Sequence, residues 1–303
     1  MAVKSVQVIL NGMTYELEYN ADTGNYEKVI TAPEISSFNV NSEHYYPVTV
    51  KAADYAGNTT TITDSDEDFG NELKLYVIEI VKPVITVTYP TEGAYLTDNK
   101  PRIEWKVTDN DSGVDPETIG ITINSGEQIT SGITKTVVNG GYMCYYDIPD
   151  SLEDGNNTIY FDALDYDGNV ATQRTVNFII DTIPPTLSVS VPENNLATNQ
   201  QEITLAGTTN DITSSPVSVF VKVNENETSE VSVGTDGNFS VAIVLRQGVN
   251  TIIVTAVDAA GKTSSVTRTV TLDINAPEIS SIEIVPNPVN AGNVINITVI
   301  VTD

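Results

Sequence analysis

Cysteine is all but missing from this chain. Cys144 stands alone among 303 residues, so no intramolecular disulfide forms and each core has to hold by packing. Basic residues are scarce as well: 14 Lys and Arg face 41 Asp and Glu, a net charge of −27. Such a field repels nucleic-acid phosphate and anionic membrane surfaces, which excludes nucleic acid as a partner, and it attracts divalent cations. No apolar run reaches the roughly 18 residues of a membrane-spanning helix, so membrane insertion is not expected. Histidine occurs once, as His44, and neither it nor Cys144 has partners at the spacing of a catalytic triad or a metal motif. A Gly-rich phosphate loop is absent too. Without nucleophile, base or cofactor cradle, the chain is expected not to be an enzyme, with His44 as a surface residue before a strand and Cys144 as a strand residue.

What is present is repetition. Three turns, Asp-Tyr-Ala-Gly-Asn (54–58), Asp-Tyr-Asp-Gly-Asn (165–169) and Asp-Ala-Ala-Gly-Lys (258–262), each follow an alternating stretch (46–53, 157–164, 250–257) and precede a second β-branched stretch. Each copy reads as a β-hairpin whose Asp caps the turn and whose Gly takes positive φ. Gly57 to Gly168 is 111 residues and Gly168 to Gly261 is 93, the size of an immunoglobulin-like sandwich of about 100 residues. No helical periodicity of roughly ten residues occurs, so the fold class is all-β: a tandem array of immunoglobulin-like β-sandwiches joined by short Pro-containing linkers.

The boundaries follow from proline. Lys82-Pro83, the run 181–185 ending in Pro184-Pro185, and the run 273–277 ending in Pro277 are hand-over points where a strand ladder cannot continue. The predicted domains are 1–83, 84–183 and 184–275, with a two-strand stub at 276–303 that cannot bury a core alone. The first domain opens as a meander: strand 3–10, an Asn11-Gly12 type I′ turn, strand 14–19, and a third strand at 26–31, closing with a strand at 73–81. The acidic run 64–68 between these reads as a solvated loop.

With the Asp-x-x-Gly-Asn closing hairpin and the Asp-x-x-x-Pro hand-over, the chain resembles tandem bacterial immunoglobulin-like repeat proteins. Arrays of this kind occur in phage, prophage and tail-like particle proteins and in exported adhesins. The N-terminal residues show no charged and apolar leader, so the resemblance implies a structural component of a phage tail, baseplate or tail-like particle, made in the host cytoplasm and residing in the virion. Its partners would be other tail proteins in several copies, with a host-surface glycan as a further contact; 279–303 is the expected docking element. The alternatives are a carbohydrate-binding receptor module and a bacterial cell-surface adhesin fragment.

One cofactor has residues behind it. Asp109, Asp111 and Asp115 in Thr-Asp-Asn-Asp-Ser-Gly-Val-Asp (108–115) set hard oxygens at alternate positions, and in a sandwich this loop shares an end with the hairpin carrying Asp165 and Asp167. These five are the candidate ligands of a single calcium ion. The run departs from an EF-hand in its Gly position and lacks the bidentate Glu, and it also reads as a plain turn. Trp105 alternates with Ile103 and Val107 and belongs to a core; of Tyr142, Tyr145 and Tyr146, one should face solvent.

Overall fold

Alternation dictates the sandwiches. In the strand Arg102–Thr108, Ile103, Trp105 and Val107 are buried while the residues between them face outward, which is what a half-buried pleated ribbon requires. The computed structural model describes residues 2–303 and is all-β, with one 3₁₀ turn at Gly70–Leu73. It divides into two compact units, the first holding residues up to Ala94 together with Asp98–Ile179, the second Tyr95–Thr97 together with Ile180–Asp303.

The first unit holds the first domain, up to residue 83, and most of 84–183; of the latter, Tyr95–Thr97 and the residues from Ile180 on fall in the second unit. The N-terminal sheet runs Met13–Glu16, Val3–Leu10, Tyr46–Asp54, Thr59–Ile62, and Lys74–Leu75 adds to the start of Tyr46–Asp54. Asn11 and Gly12 both take positive φ in its first hairpin, as a type I′ turn demands. Two expectations fail here. The third strand shrinks to Asn25–Glu27, which pairs with Glu18–Asn20 as a separate ribbon. The closing strand shrinks to Lys74–Leu75 because the residues beyond bond elsewhere: Val77 exchanges bonds with Ser37, and Glu79 turns to the next domain.

The second domain packs two sheets. One is ordered Thr134–Val138, Gly141–Asp147, Arg102–Thr108, Val84–Tyr89; in the other, Val114–Ile123 and Gly155–Asp165 pair antiparallel. Trp105, fully buried, meets Phe161 edge-on with ring centroids 5.4 Å apart. Tyr142, Tyr145 and Tyr146 are all half-buried, so none of the three faces solvent fully, contrary to the expectation for one of them.

The third domain lies in the second unit. Thr186–Val191, Glu202–Asn210 and Asn238–Val244 form one sheet, and Leu196–Thr198, Thr263–Leu272, Gly248–Val257, Ser218–Val223 and Ser229–Val231 the other. Leu196–Thr198 joins that sheet parallel, the remaining pairs being antiparallel. Leu205, Phe239, Ile252, Val254 and Leu272 fill its core. The chain ends in the hairpin Glu278–Val285 with Asn296–Thr302, every residue of which is exposed.

A repeated polar clasp holds both full sandwiches. Buried Asn157 donates through Nδ2 to the carbonyls of Glu153 and Gly155 and accepts from Asn124; buried Asn250 does the same with Arg246, Gly248 and Asn224. A buried amide so fully bonded ties the strand start to the neighbouring turn.

Candidate functional site

The three repeat hairpins close as their residues require. In each, the Asp carboxylate accepts the amide four residues on: Asn58 N to Asp54 at 2.9 Å, Asn169 N to Asp165 at 2.8 Å and Lys262 N to Asp258 at 2.8 Å. Gly57, Gly168 and Gly261 take φ of 93°, 87° and 85°. The Asp is thereby pinned with its carboxyl at one end of the sandwich, and in the second and third domains two more acids join it there.

In the second domain the group is Glu79, Asp109 and Asp165; in the third it is Asp181, Asp211 and Asp258. In each, one carboxylate oxygen per residue lies within 4.8 Å of the other two. The first acid comes from the segment leading into the domain, the second follows the strand Arg102–Thr108 or Glu202–Asn210, and the third is the hairpin Asp. All six residues are between 0 and 8 % exposed. Asp109 Oδ1 accepts from Asp111 N and Gly113 N, both at 3.0 Å, and Asp211 Oδ1 from Thr213 N at 2.8 Å and Ser214 N at 2.7 Å. Glu79 Oε1 accepts from Ser112 N at 2.8 Å, and Asp181 accepts from the Ser214 hydroxyl. Glu79 Oε2 and Asp258 Oδ2 are buried with no hydrogen-bond partner. Burial pushes the Glu79 carboxyl above its ordinary range; the bond from Ser112 opposes this, and the charges of Asp109 and Asp111 add to it.

Of the five residues expected to ligate one ion, Asp109 and Asp165 come together. Asp111 accepts instead from Ser36 N at 2.9 Å, Asp167 from Glu79 N at 2.9 Å, and Asp115 from Glu117 N at 3.0 Å. Glu79 and the whole third-domain group escaped the reading of local acidic density. A signal was available: Glu79 to Asp109 and Asp181 to Asp211 are both 30 residues, each followed by Ser three positions on (Ser112, Ser214), and Asp273 to Asp303 repeats the interval.

Asp111 and Asp167 belong to a built joint between the first two domains. Asn39 Nδ2 donates to the carbonyls of Asp111 (2.8 Å) and Ser112 (3.1 Å), and Asn169 Nδ2 to that of Glu79 (3.2 Å). The Phe38 ring is stacked between His44 and Tyr166, at 4.0 and 4.1 Å between centroids.

Residues 185–274 match the family model of glucodextranase, domain B. The glucodextranase-B-like segment is the third sandwich, and it contains Asp211 and Asp258, with Asp181 just before it. Bacillopeptidase F of Bacillus subtilis (strain 168) is 25 % identical over 217 residues, which is 72 % of this chain; the chain spans 14 % of that protein's length. Among solved structures, the fibronectin(III)-like modules of Clostridium thermocellum CbhA are 15 % identical with a TM-score of 0.38, covering 63 % of this chain and 94 % of that one. Domains A168–A170 of titin are 14 % identical with a TM-score of 0.42, covering 88 % and 85 %.

Proposed function

We propose that this chain is a structural, non-catalytic array of immunoglobulin-like domains that holds other parts of a larger bacterial or phage assembly in a set arrangement. The joint between the first two domains carries this reading. A flexible string of domains has no use for Asp111 and Asp167 bonded to backbone amides of Ser36 and Glu79, or for Phe38 packed between rings of both domains. The single His and the single Cys are spent on packing: His44 is stacked on Phe38, and burial pushes the Cys144 thiol up to about 12.

The reported relatives, a bacterial peptidase and a glucodextranase domain, support an accessory segment serving a bacterial protein. A phage tail, with tail proteins and a host glycan as partners, and an exported surface protein are the two settings that share the hairpin and hand-over motifs. Quantitative mass spectrometry of cell envelope, medium and tail-like particles from the producing bacterium tests the role. A fixed ratio to another protein of one assembly is expected, its fraction naming the setting; a free cytosolic protein with no such ratio would defeat the reading.

The joint itself is testable. Two amide-to-carboxylate bonds at about 1–2 kcal/mol each predict that Asp111→Ala combined with Asp167→Ala speeds hydrogen exchange at the Ser36 and Glu79 amides at least 10-fold. Exchange in the strand Arg102–Thr108 should stay as it was. Unchanged exchange at both amides would show that the joint does not depend on them.

A further inference from the structure

We propose that the two carboxylate groups are calcium sites, one formed by Glu79, Asp109 and Asp165 and the other by Asp181, Asp211 and Asp258. The inference stands apart from the structural role proposed above and does not require it. Three carboxylates brought together out of water repel one another and each loses hydration, which is unfavourable unless an opposite charge joins them. No side-chain cation joins them: neither of the ion pairs found among the described residues, Lys74–Glu43 and Arg102–Asp147, includes a member of either group.

The hydrogen bonds do not complete the groups either. Glu79 Oε2 and Asp258 Oδ2, in residues 8 and 5 % exposed, lack any hydrogen-bond partner among the described residues. A buried acceptor oxygen without a donor calls for a partner, and between three like-charged carboxylates a cation is the partner that also offsets their charge. The arrangement also recurs. The same three structural positions carry acids in two successive domains, with the same 30-residue interval, although the hairpin sequences diverge from Asp-Tyr-Asp-Gly-Asn to Asp-Ala-Ala-Gly-Lys.

The donors choose the ion. Neither group contains His or Cys, which disfavours zinc and softer metals. The oxygens come from three separate segments, a lead-in, a loop and a hairpin, and calcium tolerates such irregular sets where magnesium demands near-ideal octahedral geometry. Bound calcium would tie each lead-in segment to its domain, and in the first unit that segment begins at Glu79, already part of the joint.

The test is calorimetric titration of the chelator-stripped full chain with CaCl₂ at pH 7.5, beside hydrogen exchange with and without calcium. Two ions per chain are expected, with dissociation constants of roughly 10⁻⁴ M, and slower exchange around Glu79, 109–113, Asp181 and 211–215. Glu79→Gln and Asp211→Asn should each leave one ion, and Asp115→Asn, outside both groups, should leave two. Should a variant fail to fold, exchange in the parent protein decides alone. Absence of both binding heat and calcium-dependent protection would overturn the proposal. Binding whose stoichiometry ignores Glu79→Gln and Asp211→Asn would overturn it too, by placing the ions elsewhere on the acidic surface.

Discussion

Replacing Trp105 by Ala is expected to cost the second domain about 3–5 kcal/mol, the range for emptying a large aromatic site. Small domains hold only about 5–15 kcal/mol in total, so its unfolding transition should shift far ahead of the third domain's, or vanish. The loss comes from packing alone. Trp105 is completely buried against Phe161, and its indole Nε1 makes no hydrogen bond, so the ring contributes volume and edge-to-face contact but no polar anchor. Trp105→Phe separates the two contributions: it keeps most of the volume and removes a buried donor that nothing satisfies, so it should stay within about 1–2 kcal/mol of the parent. Differential scanning calorimetry resolves the domains. A Trp105→Phe variant as damaged as Trp105→Ala would mean that the indole has a partner in solution.

Gly207→Ala is expected to cost the third domain about 3 kcal/mol for a single methyl group. Gly207 lies in the middle strand Glu202–Asn210, opposite Val189 on one side and Phe239 on the other. A Cβ there would sit 2.1 Å from the Ser188 carbonyl oxygen and 2.6 Å from Cζ of Phe239. Repacking can move the ring; the carbonyl belongs to a paired strand and cannot yield without breaking the ladder. Gly248→Ala is a useful contrast, since a Cβ there meets nothing within 4 Å and its φ of +91° alone opposes the change. The measurement is the third domain's thermal midpoint, expected to fall by roughly 10 °C or more for Gly207→Ala. A midpoint unmoved by Gly207→Ala would show that the two strands can separate without cost.

Much of this architecture can be read from local rules. The hairpin Asp and Gly act within five residues, through a side chain that caps its own turn and a backbone that needs positive φ, so their meaning does not depend on distant partners. Alternation placed Ile103, Trp105 and Val107 in a core for the same reason: a strand's period of two is a property of the strand. Where local rules compete with distant ones they fail. The stretch after Leu75 has the composition of a strand, yet its amides and carbonyls go to Ser37 and Asp167 instead of a neighbouring ladder.

The acidic residues show the division most clearly. Sequence by itself determined the fold class, the repeat, the hairpin turns and the excess of negative charge, because each of these is set by spacing or composition. Which carboxylates meet was decided only by tertiary structure. Asp109, Asp111 and Asp115 are neighbours in the chain but turn to different partners, while Glu79, Asp109 and Asp165, spread over 87 residues, converge at one end of a sandwich. The physical reason is that a turn aspartate bonds whichever backbone amide the fold brings to it, local for Asp115 and from the first domain for Asp111, and a buried cluster forms only where strand ends and linkers from separate parts of the chain are brought to the same edge.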